Sequence, residues 1–190
     1  MSDYSHQFLV SMPLLDGDYF SQSVIYICTH DERGTLGLVI NKPVDYTITE
    51  IFEQLELDMP KSIKGIRLIE GGPVASDVPL ILHTDDWQSE NTWLLPDGLA
   101  LTFPSDEGRD FFDLFKAIVV GEGPKQFLLA LGHSGWGGGQ LDAEIEENTW
   151  LTCSYDPKVL FDIPFEKRYQ RICDNLGFDI NLISRHGGDA

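Results

Sequence analysis

Three histidines, His30, His83 and His133, each close an apolar run and stand beside a polar loop. Asp31, Asp85 and Asp86 lie next to two of them. Imidazoles and carboxylates gathered at one sheet edge could bind a metal or exchange protons. That chemistry requires the three strands to run the same way in one sheet. None of the spacings is that of a helix-borne zinc site such as H-E-x-x-H. Strand-end histidines more often cap or pack, so no metal site is expected. His30, His83 and His133 stay as candidate ligand-binding residues.

His133 also begins a second candidate. Gly132-His133-Ser134-Gly135-Trp136 resembles the G-x-S-x-G elbow that holds a nucleophilic serine on a strained turn. Trp136 replaces the small residue that the elbow needs where strand and helix approach. Ser134 is therefore expected to satisfy a loop backbone group. The surrounding stretch, Gln126 to Thr152, carries an apolar run from Phe127 to Leu131 and then five glycines within eight residues. It reads as strand, glycine-rich loop, short acidic helix and strand, an order in which loops often cradle phosphates. The details oppose that use. A dinucleotide fingerprint starting at Gly137 needs glycine at position 142, which is Asp142, and no lysine follows Lys125 in the stretch. Asp142 and Glu144 suit a helix start but repel a phosphate there. The expected loop is a tight turn with Trp136 plugging the core; an uncharged ligand or a protein contact is the remaining use.

Asn41-Lys42-Pro43 forms a third candidate. Proline holds Lys42 extended, and Asn41 can bond its own backbone in a turn. Lys42 is one of eight basic residues in the first 155, so it could pair with a carboxylate or hold an anion. Gly71-Gly72-Pro73 serves backbone geometry, or one wall of the same pocket.

These residues must be positioned by the elements around them. Phe8 to Pro13, Ser23 to His30 and Thr35 to Ile40 read as strands, the last two joined as a hairpin by Asp31–Gly34. Thr47-Ile48-Thr49-Glu50 has capping-box spacing ahead of a short helix. Ile66 to Glu70 and Leu80 to His83 are further strands, and Trp93–Leu95 with Leu99–Phe103 flank a Pro-Asp-Gly turn. Ser105 can cap a helix carrying Phe111, Phe112, Phe115 and Ile118, ended by Gly121. A last helix is expected from about Phe165 to Asn175. Strands outnumber helices, which gives a mixed α/β (α+β) class with antiparallel and parallel pairs.

Composition narrows the function classes. The chain has 190 residues, with 13 basic and 31 acidic side chains and a net charge of −18. Residues 156–190 carry 6 acids and 5 bases, so nearly all the excess lies before them. Such a surface repels nucleic acid and anionic lipid. The one basic trio, Lys167, Arg168 and Arg171, reads as a solvated helix face. No apolar run approaches the roughly 20 residues of a membrane span, and MSDYSHQ is no signal peptide. Cys28, Cys153 and Cys173 sit among apolar neighbours and read as buried free thiols. A cytoplasmic protein is expected.

Met12 to Pro43, Gly71 to Val74 and Leu131 to Leu151 resemble the AlgH/YqgE family, with similarity extending from Phe8 to about Asn175. The resemblance implies a bacterial cytosolic protein with a mixed, bifurcated sheet rolled into a pseudo-barrel, flanked by short helices. It implies one domain over 1–190, sometimes split into two structural parts, with no boundary resolvable from sequence. It assigns no catalytic residues; some members are labelled transcriptional regulators, and the family pattern accepts alanine at the position of Ser134. The resulting expectation is a non-enzymatic binding or regulatory protein with a protein partner, no cofactor, no direct nucleic-acid or membrane contact, and self-association left open. The alternative is a small-molecule binder or enzyme whose pocket uses His30, Asn41, Lys42, His83, His133, Ser134 and Trp136.

Overall fold

The computed structural model describes residues 2–12, 18–54, 56, 58, 61, 66–105 and 109–177. In chain order its first strands are β1 Gln7–Ser11, β2 Val24–Asp31, β3 Gly34–Val39 and β4 Pro43–Thr47, followed by helix α1 Ile48–Gln54. Next come β5 Arg67–Glu70, β6 Val74–Thr84, β7 Thr92–Leu95, β8 Leu99–Thr102 and helix α2 Arg109–Val120. The chain continues through β9 Phe127–Gly137, α3 Gln140–Glu146, β10 Trp150–Ser154 and α4 Phe165–Leu176. They divide into two compact units, one of Met1–Lys42 with Ser134–Ala190, the other Pro43–His133.

In the first unit, the Val/Ile-rich β2 pairs antiparallel with β3 through the tight turn at Asp31 and Gly34. Asp31 shapes that turn, its carboxylate accepting the Arg33 and Gly34 backbone N–H groups. The sheet order is β10-β1-β2-β3 and then the second half of β9, all antiparallel. Leu9, Ile25, Ile27, Val39, Trp136, Leu141 and Trp150 form a buried cluster. Burying each aliphatic side chain contributes about 1.5–3 kcal/mol.

The second unit places the first half of β9 between β5, parallel, and β6, antiparallel. Adding the outer strands gives the order β4-β5-β9-β6-β8-β7. The expected mixture of parallel and antiparallel pairs is present, and the class is α+β. Helices α1 and α2 cover a core of Ile48, Phe52, Leu68, Ile81, Phe111, Leu114, Phe115, Ile118 and Leu129. The capping-box reading holds: Glu50 reaches back to accept from Thr47 N–H at 2.7 Å. The expected Ser105 cap involves residues outside those described.

Four sequence expectations need correction. The glycine-rich stretch is mostly strand, not loop. β9 runs unbroken through Gly132 and Gly135 to Gly137, and the turn into α3 is only Gly138-Gly139. Pairing supplied by neighbouring strands overrides the weak β-propensity of glycine. β6 begins at Val74, straight after Gly71-Gly72-Pro73, because its exposed polar first half lacks the apolar signal used to find it. Arg168 is not solvated. It is 1% exposed, its Nε donating to the Ile163 carbonyl at 2.9 Å and its Nη1 to the Ile40 carbonyl. Burial lowers its pKa to about 10, within the range where it stays charged at neutral pH. Of the three free cysteines, Cys28 and Cys173 are buried but Cys153 is half-buried; burial raises all three thiols.

Candidate functional site

Asn41 and Lys42, where β3 leaves its sheet, line a cavity of about 380 Å³. Ser21 and Gln22 form another wall, and Glu166, Tyr169 and Gln170 of α4 complete it. The Asn41 amide does not bond its own backbone. Its Oδ1 accepts from Val24 N–H at 2.7 Å and its Nδ2 donates to the Gln22 carbonyl at 2.8 Å. Lys42 donates to the Tyr19 carbonyl and lies 5.1 Å from the centre of the Tyr19 ring. Tyr169 donates to the Ser11 carbonyl at 3.0 Å. Arg168 fixes the Ile40 carbonyl, directly before Asn41. Of the sequence candidates, only Asn41 and Lys42 reach this cavity. Glu166, Tyr169 and Gln170 were missed because helix α4 lies more than 120 residues downstream, and no local signal links it to Asn41.

The other candidates in the first unit are structural. Ser134 is fully buried on β9 opposite Gly37, in mid-strand, so no nucleophile elbow forms. Trp136 sits in the core as expected, 7% exposed, and its Nε1 donates to Glu144 at 2.9 Å. His30 faces Thr35 across the β2–β3 pair, with Nδ1 and Thr35 Oγ1 2.6 Å apart. Its Nε2 lies 3.6 Å from Asp142 Oδ2, too far for a hydrogen bond, and both atoms are buried. Carboxylate, imidazole and hydroxyl follow one another as in a nucleophilic triad. Thr35 is nevertheless 5% exposed and paired opposite Trp136, so a substrate reaches it only if β3 and β9 part.

In the second unit His83 and His133 do not converge. β6 and β9 are antiparallel, with His83 opposite Phe127 and His133 opposite Val74. Six residues of strand separate the two positions, roughly 20 Å at about 3.4 Å per residue. Among the described residues no three His, Cys, Asp or Glu side chains are grouped as a metal ion would need.

His83 instead anchors a buried relay. Its Nδ1–H donates to the Thr84 carbonyl at 2.7 Å, and with the ring neutral Nε2 accepts from Thr102 Oγ1 at 2.8 Å. Thr102 accepts from Thr92 Oγ1 at 2.7 Å, and Thr92 accepts from Ser89 N–H at 2.9 Å. This pattern requires a neutral ring. Burial lowers the His83 pKa below its ordinary value, and His133 shifts the same way for the same reason. The unfolded chain takes up a proton near pH 6.5 while the folded chain does not. The histidine contribution to stability is therefore fully present above about pH 7 and is lost as pH drops through about 6.5. Urea midpoints at about pH 7.5 and 5.5 should show that loss, and His83→Gln should reduce it, with His133 keeping the remainder. An unchanged slope in the variant would remove His83 as the cause.

Fold and cavity together define an α+β protein of two units with one small polar cleft described in the first. The chain belongs to the AlgH-like family, whose model matches residues 8–181. A UPF0301 protein of Pseudomonas savastanoi pv. phaseolicola is 40% identical over 187 residues, covering 97% of this chain and 95% of that protein. One from Verminephrobacter eiseniae is 38% identical over 197 residues, covering 98% and 95%. The solution structure of the AlgH protein from Pseudomonas aeruginosa matches with a TM-score of 0.76 at 37% identity, covering 100% of this chain and 97% of that one. A crystal structure of a Corynebacterium diphtheriae protein matches at 0.72, covering 97% and 93%; at 20% identity this likeness is one of fold. Among the described residues no helix is long and apolar enough to cross a membrane.

Proposed function

We propose that this is a non-enzymatic binding protein of the cytoplasm that works by docking a protein partner on the outer edge of β7. The observation that carries the reading is an outer strand open on both faces. β7 pairs with β8 and ends the strand order of its sheet. Successive strand residues point to opposite faces, yet Trp93 is 51% and Leu94 63% exposed. Trp93 is held by packing on Phe103, with ring centroids 4.4 Å apart, which presents a rigid aromatic surface. Outer strands with exposed apolar side chains are where another chain adds a strand.

Charge defines the partner. Asp85 and Glu90 lie in the segment leading into β7, and Asp97 sits in the β7–β8 turn. Asp86 is paired with Lys125 at 3.3 Å. An extended segment carrying basic side chains around one apolar residue fits that edge. Nucleic acid does not, and an effect on transcription would run through the protein partner.

The test compares immobilised wild type with Leu94→Asp, a change at an exposed position. A partner with a basic extended segment should be retained by the wild type and lost about tenfold by the variant and at high salt. Amide exchange across 92–95 should slow in the complex. Equal retention by Leu94→Asp, or a self-dimer that the variant dissociates, would overturn the reading.

A further inference from the structure

The cavity beside Lys42 is independent of the β7 edge, and its chemistry is specific. It brings an ammonium, Lys42, and a carboxylate, Glu166, into one cleft whose other described lining residues carry amides and hydroxyls. The geometry points to a binding site for a small zwitterion of the α-amino-acid class, its carboxylate toward Lys42 and its ammonium toward Glu166.

Three features support this. First, the walls are built rather than incidental. Asn41 is tied to Val24 and Gln22, Lys42 to Tyr19, Tyr169 to Ser11, and Arg168 to Ile40. Each is a side chain bonded to the backbone of another element, so the wall carries little conformational entropy to lose when a ligand enters. Second, the size is right. A cavity of about 380 Å³ lies at the small end of the roughly 300–1,000 Å³ range of ligand pockets. Third, the charges select a ligand that carries both signs. A chain of net charge −18 repels a simple anion at long range. A zwitterion has no net charge and escapes that field, while at contact each of its ends meets an opposite charge. The buried Arg168 guanidinium, 4.5 Å from the Phe165 ring, donates to the Ile40 carbonyl and so places a positive charge behind the residue that precedes Asn41. The amides of Gln22 and Gln170 can meet a polar side chain, Gln170 with its Nε2 already donating to Asp174 at 2.7 Å; among the described residues the lining has no aliphatic side chain to favour an apolar one.

The experiment titrates the intact protein with each of the proteinogenic L-amino acids, and with acetate and methylamine as half-ligands, following thermal stability and amide NMR shifts. One or more amino acids should raise the melting temperature in a dose-dependent way and shift the Asn41, Lys42 and Gln170 amides. Lys42→Met and Glu166→Gln should each weaken that binding at least tenfold. Lys42 also holds the Tyr19 carbonyl, so Gln170→Ala, an exposed change on α4, gives a second readout in a chain that folds; it should change the ranking among amino acids. No response to any amino acid at about 10 mM would overturn the proposal. So would acetate binding as tightly as the best amino acid, which would make this a simple anion site, or full affinity in Glu166→Gln.

Discussion

Gly132→Ala is expected to cost at least about 4 kcal/mol, a large share of the roughly 5–15 kcal/mol that holds an ordinary domain folded. Two effects combine at this position. Gly132 has φ +69°, where a side chain is strained, and a Cβ there would lie 2.6 Å from the Gly72 carbonyl oxygen and 2.8 Å from Ser76 Cα and the Val74 carbonyl oxygen. All three contacts are backbone, so nothing can rotate away. The position coincides with the register shift between Val74 and Pro79, where β6 carries extra residues opposite Gly132 of β9. Two companions separate conformation from crowding. Gly139 has φ +74° but open space, so Gly139→Ala should cost only about 1 kcal/mol. Gly137 has ordinary backbone and no close neighbour beyond the Gln140 side chain, so Gly137→Ala should be neutral or slightly stabilising. Urea denaturation of the three variants gives the ranking. A Gly132→Ala protein within about 1 kcal/mol of wild type would show that β6 yields there.

The same glycines show where sequence reasoning worked and where it stopped. β2 and β3 were readable because Val, Ile and Thr crowd a short run around an Asp–Gly turn, and α4 because its apolar residues recur at helical spacing. Both signals are local. Glycines at 132, 135 and 137 carry no such signal. Their strand conformation is imposed by β6 on one side of β9 and by β3 on its later half, partners far away in sequence. Arg168 failed for a related reason. A basic trio on an amphipathic helix looks solvated until the Ile40 carbonyl, 128 residues away, is found to accept from it. Asn41 and Lys42 were legible as unusual residues in an acidic chain. Their cavity was not, because Glu166, Tyr169 and Gln170 join them only through the packing of α4. The histidine reading depended wholly on strand direction, and the antiparallel pairing of β6 with β9 separates His83 from His133.

Glu144 is the second position where a single change should act strongly, and the sequence marked it only as an acid near a helix start. Its Oε2 accepts from Trp136 Nε1 at 2.9 Å and from Trp150 Nε1 at 2.7 Å, while Oε1 accepts from Gln140 Nε2 at 2.8 Å. Gln140 is held in turn, its Oε1 accepting from Gly137 N–H at 3.0 Å. One carboxylate thus ties α3 to β9 and β10 and orients two nearly perpendicular indoles, with Phe20 stacked on Trp136. Glu144→Ala leaves two indole donors without their acceptor, at positions 7% and 2% exposed. The expected loss is about 3 kcal/mol, since hydrogen bonds to a charged acceptor and buried unpaired donors each count for about 1–3 kcal/mol. Glu144→Gln keeps an oxygen for the indoles but turns its amide N–H₂ toward the Gln140 donor, so it should lose about half as much. Tryptophan emission gives the local readout, because both indoles should respond in the alanine variant before global unfolding. The ordering is what tests the argument: alanine worse than glutamine, and both worse than Glu146→Ala on the exposed side of the same helix. If Glu144→Ala costs less than about 0.5 kcal/mol, water replaces the carboxylate at the half-buried end and the clamp contributes shape without stability.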